Sequence, residues 1–269
     1  MSDAIRITSR QNPRVKQAVQ LRVARERQRR GRILIDGARE IVRAFAAGVS
    51  PVEAFVCQGL ARGDDVQRAM AFIREQHAEV FDVSPEVYEK LAYGERDDGI
   101  IVVARMPERS LGDLKLPPNP LIAVIEGLEK PGNVGAILRT ADAAGIDAVI
   151  VANGGTDLYN PNTIRASLGT VFRANVCTAT TANTIDWLRA KDVAIIAARP
   201  DATLLYTDVD LAHGAAIVLG SEAHGLTAAW QGAGITPIRL PMHGIADSLN
   251  VSTTAAVLFY EALRQCTAR

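Results

Sequence analysis

From residue 121 onward, short continuous apolar runs alternate with amphipathic stretches. Leu-Ile-Ala-Val-Ile at 121–125, Ala-Val-Ile-Val at 148–151, Ala-Ile-Ile-Ala-Ala at 194–198 and Ala-Ala-Ile-Val-Leu at 215–219 lack the in–out alternation of a half-exposed strand. Strands covered on both faces of a parallel sheet read this way. The pattern predicts strands at 121–126, 147–152, 174–178, 193–198, 215–220 and 236–240. Helices are predicted at 133–144, 161–171, 182–190, 226–232 and 249–265. The result is an α/β domain with a mostly parallel sheet, whose ligands belong beyond the carboxyl ends of its strands. Upstream the segments are shorter: a basic helix at 14–30, strands at 33–35, 52–57, 80–83 and 99–104, and helices at 66–77 and 85–92. A further helix, opened by Gly37 and closed by Gly48, carries Ile41, Val42, Ala44 and Phe45 on its apolar side. This is a second, smaller α/β unit of ordinary domain size. Between the two, residues 107–120 hold Pro107, Gly112, Pro117, Pro118 and Pro120 and read as a linker. The organisation is therefore 1–106, a linker at 107–120, and 121–269.

Composition narrows the class. A chain of 269 residues with 48% hydrophobic content can bury two cores. No apolar run approaches the roughly 18 residues that span a bilayer, and the N-terminus has no apolar leader, so a cytoplasmic location is expected. Cys57, Cys177 and Cys266 are scattered, as are His77, His213, His224 and His243. Neither set has metal-ligand spacing, so reduced thiols and no metal are expected. Formal charge is zero, but its distribution is uneven. The first 32 residues carry Arg6, Arg10, Arg14, Lys16, Arg22, Arg25, Arg27, Arg29, Arg30 and Arg32 against Asp3 and Glu26. Such a run is either a solvated helix face or a polyanion contact. The excess of guanidinium, the better bidentate phosphate ligand, favours nucleic acid.

Three strand ends carry unusual polar content. The first runs from Glu126 through Gly132, Asn133 and Gly135 to Arg139, at a predicted helix start where free backbone N–H groups accept an anion or polar ligand. It is neither a Rossmann fingerprint nor a P-loop, because GxGxxG and Gly-Lys-Ser/Thr are both absent. The second, Leu219-Gly-Ser-Glu222-Ala-His-Gly225-Leu, places a glutamate between two glycines. Ser221 and His224 lack the Gly-x-Ser-x-Gly elbow of a hydrolase. The third, from Pro241 to Ser252, packs Asp247, Ser248, Asn250 and Ser252 around Leu249 where a strand meets a helix; it is either a site or a long helix cap. A lesser one puts Arg165 on a helix after an Asn-Pro-Asn turn.

Asn133-x-Gly-Ala-Ile-x-Arg139-Thr, Leu219-Gly-x-Glu222-x-x-Gly225-Leu and Pro241-Met-x-Gly-x-x-x-Ser248-Leu-Asn250-Val-Ser resemble, in order, the three motifs of SpoU-type RNA ribose 2′-O-methyltransferases of the SPOUT superfamily. Ser9-x-Gln-Asn12-Pro13 and Asp36-Gly37-x-Arg39 resemble that family's L30e-like substrate-binding domain. The resemblance implies a C-terminal trefoil knot, a homodimer, and S-adenosyl-L-methionine as cofactor. It places that cofactor against Leu219, Gly220, Leu240, Met242, Ser248 and Leu249. It implies a catalytic group of Arg139, Asn133, Glu222, Ser248 and Asn250. An arginine is no base, so Arg139 would polarise and orient the ribose hydroxyl. Contacts to RNA are expected from Arg165, Arg10, Arg14, Arg22 and Arg39. The implied reaction is 2′-O-methylation of RNA, with 23S-type rRNA ahead of tRNA because a separate RNA-binding domain precedes the knot. A non-catalytic RNA-binding protein of the same fold is the alternative from another class.

Overall fold

In the computed structural model, which describes residues 5–94, 97–154 and 157–267, the chain divides into two units. The first comprises Met1–Pro107 with Tyr159–Arg173, the second Glu108–Leu158 with Ala174–Arg269.

The first unit starts with a short strand β1 (Ile5–Ile7), which no apolar run predicts; only Ile7 of its three residues is buried. The expected helix at 14–30 is two helices, α1 (Pro13–Gln20) and α2 (Ala24–Arg30). The break follows from Leu21, which turns into the core, and from Val23, whose extended backbone precedes α2. Then come β2 (Arg32–Asp36), α3 (Ala38–Ala46), β3 (Pro51–Val56), α4 (Asp64–Glu75), β4 (Glu79–Val83), α5 (Pro85–Leu91) and β5 (Ile100–Arg105). The sheet order is β1-β4-β3-β5-β2, with β5 antiparallel to both neighbours and the other pairs parallel. On one face α3 and α4 are joined by the stacked rings of Phe45 and Phe72, 4.5 Å apart. On the other, Val15, Ala18 and Leu21 join Val87, Leu91, Ile101 and Val103 in one core.

The second unit contains β6 (Leu121–Glu126), α6 (Pro131–Ala143) and β7 (Ala148–Ala152). The next helix, α7 (Pro161–Ala166), lies in the first unit and packs on β2. Its expected continuation to 171 ends at Leu168 and Gly169, both with positive φ, and resumes as a 3-10 turn at Thr170–Phe172. The second unit continues with β8 (Val176–Ala179), α8 (Thr181–Ala190), β9 (Ala194–Ala198), β10 (Ala215–Leu219), β11 (Ile235–Ile238) and α9 (Val251–Thr267). The expected helix at 226–232 is only a 3-10 turn, Ala228–Trp230, which buries Trp230. All five pairings in the sheet, ordered β11-β9-β10-β6-β7-β8, are parallel. Strands β6, β7 and β10 are buried along their whole length, which explains their unbroken apolar sequence. The proline-rich stretch after Pro107 is docked rather than loose. Leu111, Leu114 and Leu116 pack on the second core, and Asn175 bonds the main chain of Lys115 on both its N–H and its carbonyl.

Candidate active site

At the carboxyl edge of the parallel sheet, β9, β10 and β11 end beside the turn into α9. The β10 turn is tight: Gly225 N–H donates to Ser221 carbonyl at 2.9 Å and His224 N–H to Ser221 Oγ at 3.2 Å. A Cβ on Gly220 would run into the backbone of Gly225, so glycine is required there. At the start of α9, Asn250 Oδ1 accepts from Ser252 N–H at 2.9 Å and Ser252 Oγ at 2.6 Å. The capping role in this polar stretch therefore falls to Asn250, leaving Ser248 outside the cap.

These ends enclose a cavity of about 290 Å³. Leu219, Gly220, Leu240, Met242, Ser248 and Leu249, the six residues expected to meet a cofactor, all line it. Glu222 lines it too, and Asp247, Arg199 and Arg239 add charged groups that the motifs did not single out. Arg199 is fixed by a two-pronged pair with Asp201, at 3.0 and 2.7 Å, which holds the Asp201 carboxyl below its usual range. An apolar wall and glycine backbone suit a flat apolar ring, and two carboxylates with two arginines suit a ligand that carries charge of both signs. The residues present thus fit an adenosyl sulfonium.

The Asn133 side-chain amide donates to Glu222 Oε1, joining the first and second motifs. Asn133 lies in the first turn of α6 behind Pro131. Arg139 lies six residues further along the same helix, on the order of 9 Å along its axis. It is exposed and has no hydrogen-bond or ion-pair partner among the described residues. The loop leading to Asn250 is mostly exposed, and Ile245 is wholly so.

The arginines expected to touch RNA all lie in the first unit and are engaged there. Arg10 bonds the Glu86 carbonyl and Glu89. Arg14 pairs with Glu53 at 3.1 Å and Glu79 at 2.6 Å while its guanidinium lies over the Phe81 ring. Arg22 donates to the carbonyls of Lys90, Leu91 and Ala92. Arg165 reaches the Tyr93 carbonyl at 3.2 Å. Arg39 pairs with the buried Glu40 and borders a polar hollow with Arg62, Arg68 and Asp64.

The sequence profile described as the SpoU rRNA Methylase family matches residues 120–260, more than half of the chain and all three motifs. The chain belongs to the SpoU rRNA methylase family. Residues 12–102 match a second profile, the MRM3-like substrate binding domain. Among relatives, the chain is 27% identical to the 23S rRNA (guanosine(2553)-2′-O)-methyltransferase RlmP of Bacillus subtilis, covering 94% of this chain and 97% of that one. Among solved structures, an RNA 2′-O ribose methyltransferase is 45% identical with a TM-score of 0.84, covering 97% of this chain and 99% of the other. The SpoU methyltransferase AviRb from Streptomyces viridochromogenes, in complex with the cofactor AdoMet, is 25% identical with a TM-score of 0.87, covering 96% and 99%.

Proposed function

We propose that this SpoU-family chain transfers the methyl group of S-adenosylmethionine to a ribose 2′-hydroxyl in 23S-type rRNA. The observation that carries the reading is the convergence of the second and third motifs on one cavity, with Asn133 of the first bonded to Glu222 at its wall. When bound, S-adenosylmethionine supplies an electrophilic methyl on a positive sulfur. Leu219, Leu240, Met242 and Leu249 form the apolar seat, and Gly220 lets main chain approach closely. Glu222 and Asp247 share the cavity wall with Arg199 and Arg239, so the lining offers charge of both signs, as a ligand with a sulfonium, an amine and a carboxylate requires. Transfer of that methyl to the 2′-oxygen would leave a neutral thioether, with the hydroxyl proton passing to solvent water.

Arg139, exposed and unpaired among the described residues, is the group assigned to hold and polarise that hydroxyl. Asn133, Glu222, Ser248 and Asn250 are the other groups assigned to the reaction. A guanidinium does not remove the proton; its contribution is orientation, which by itself supplies a large part of a barrier reduction. The rRNA substrate is supported by the relative RlmP, which acts on 23S rRNA, and by the match of the first unit to a substrate-binding domain. A homodimer, a trefoil knot in the second unit and a cytoplasmic location complete the proposal. Among the described residues no helix is long and apolar enough to cross a membrane.

Arg139→Ala should lower kcat by at least about 100-fold while S-adenosylmethionine affinity stays within about twofold, read by calorimetry. A near-normal rate would remove Arg139 from the mechanism. Mass-spectrometric mapping of ribose methylation in cells with and without the protein should show one 23S site lost. A lost tRNA methyl group would move the substrate to tRNA, and no lost methyl group would favour a non-catalytic RNA-binding role.

A further inference from the structure

Glu126 ends β6, inside the core of the second unit, and is only 2% exposed. A carboxylate buried that deeply is costly unless hydrogen bonds replace its water. Three donors do so here. Thr181 Oγ donates to Oε1 at 2.6 Å, Thr227 Oγ donates to Oε1 at 3.0 Å, and the Thr227 backbone N–H donates to Oε2 at 2.9 Å. Thr181 is the first residue of α8, whose N-terminal end carries the positive pole of the helix dipole. Thr227 precedes the 3-10 turn Ala228–Trp230 and follows Gly225 by two residues. One carboxylate therefore joins a central strand, a helix start and the exit of the turn that carries Gly220, Glu222 and Gly225 along the cavity.

We infer that Glu126 is a positioning residue for the cofactor cavity. The turn enters from β10, whose register is set by its pairing with β6. Its exit is tied back to that same β6 by the Glu126–Thr227 bonds. Both ends of the turn are thus referred to one strand, and Glu222 stands in place for its bond from Asn133. The inference rests on the proposed function, because the turn matters through the ligand its cavity takes. Glu126 itself does not line the cavity, so its effect on binding passes through the turn.

The two arms can be separated. Glu126→Gln keeps the shape and one acceptor oxygen. With that oxygen toward the two threonine hydroxyls, the new amide N–H₂ faces the Thr227 N–H, donor against donor. Thr181→Val removes only the arm to α8. The measurements are S-adenosylmethionine affinity by calorimetry and melting temperature, both on the full chain. Glu126→Gln should raise Kd about 10-fold, with a smaller change in kcat at saturating cofactor. Thr181→Val should lower the melting temperature while Kd stays within about twofold. Equal effects of the two variants on Kd, or none from either, would reduce Glu126 to a structural residue and overturn the inference. If Glu126→Gln does not fold, Thr227→Val carries the test, since it deletes one hydroxyl and keeps the backbone bond. A raised Kd then supports the inference and an unchanged one overturns it. Failure of the wild-type chain to bind S-adenosylmethionine would instead sink the proposed function, and the inference with it.

Discussion

Glu261 on α9 shows how one carboxylate ties the last helix to acid stability. Its two oxygens accept from Arg264 Nε and Nη2, both at 2.8 Å, and from Gln265 Nε2 at 2.9 Å. Gln265 in turn bonds the Leu211 N–H and the Val209 carbonyl, so the network holds the segment before β10. The Arg264 hydrogen bonds, outweighing burial, hold the Glu261 carboxyl below its usual range. A carboxyl whose pKa falls on folding contributes stability above its unfolded value of about 4.3 and loses it as pH drops through the folded value. Glu261→Gln should therefore cost about 1 kcal/mol at pH 7 and less at pH 3, read from urea unfolding at both. An equal loss at the two pH values would mean that packing, not charge, is responsible. The cysteines make a simpler case. Cys57 and Cys177 are buried, burial pushes the Cys177 thiol up to about 12, and Cys266 is exposed. A thiol reagent at pH 8 should modify one cysteine quickly in the native chain and all three after unfolding; Cys266→Ser should abolish the fast phase.

At the scale of elements, α5 depends on a side chain from outside it. Arg22, in the break between α1 and α2, donates to the carbonyls of Lys90, Leu91 and Ala92 and lies 5.7 Å from the Tyr93 ring centroid. A cation on the last carbonyls of a helix satisfies groups that have no partner within it. Arg22→Ala should destabilise the first unit by about 2 kcal/mol in urea unfolding; a loss below about 0.5 would make this cap ornamental. The same residue shows where sequence reading runs short. Charge along a helix is legible, but whether a guanidinium faces solvent or a neighbouring carbonyl some 70 residues away is set by tertiary packing. Buried parallel strands were legible because burial on both faces leaves an unbroken apolar run. Strand β1 was not, since a three-residue strand with Arg6 at its centre has no such signature. The six expected cofactor residues were legible as motifs and line one cavity; Asp247 was legible as part of the polar stretch before α9, whereas Arg199 and Arg239 joined them without any local signal. Glu126 was visible as the start of the first polar strand end, but its partners, 55 and 101 residues away, were not.

Taken over the whole molecule, zero net charge conceals how little of the basic N-terminal run is free to meet a polyanion. Arg10, Arg14 and Arg22 are engaged within their own unit, Arg27 is buried, and Arg29 and Arg30 share Glu26. Deleting residues 1–32 would be a poor test of RNA binding, because it also removes Ile7, Val15, Ala18 and Leu21 from a core. Arg25 and Arg32, like Lys16, are exposed and have no ion-pair partner among the described residues. If the first unit holds RNA through phosphates, these are the cations whose counterion release can be measured. Replacing both with Gln should reduce the slope of log affinity against log salt by about 1.4, roughly 0.7 for each phosphate no longer neutralised. Melting temperature and S-adenosylmethionine affinity should not move. Arg14→Gln should do the reverse, lowering the melting temperature by stranding Glu53 and Glu79 while the salt slope stays put. An unchanged slope in the Arg25/Arg32 double variant would return both to solvated surface, and a reduced slope in Arg14→Gln would show that its ion pairs open to admit RNA.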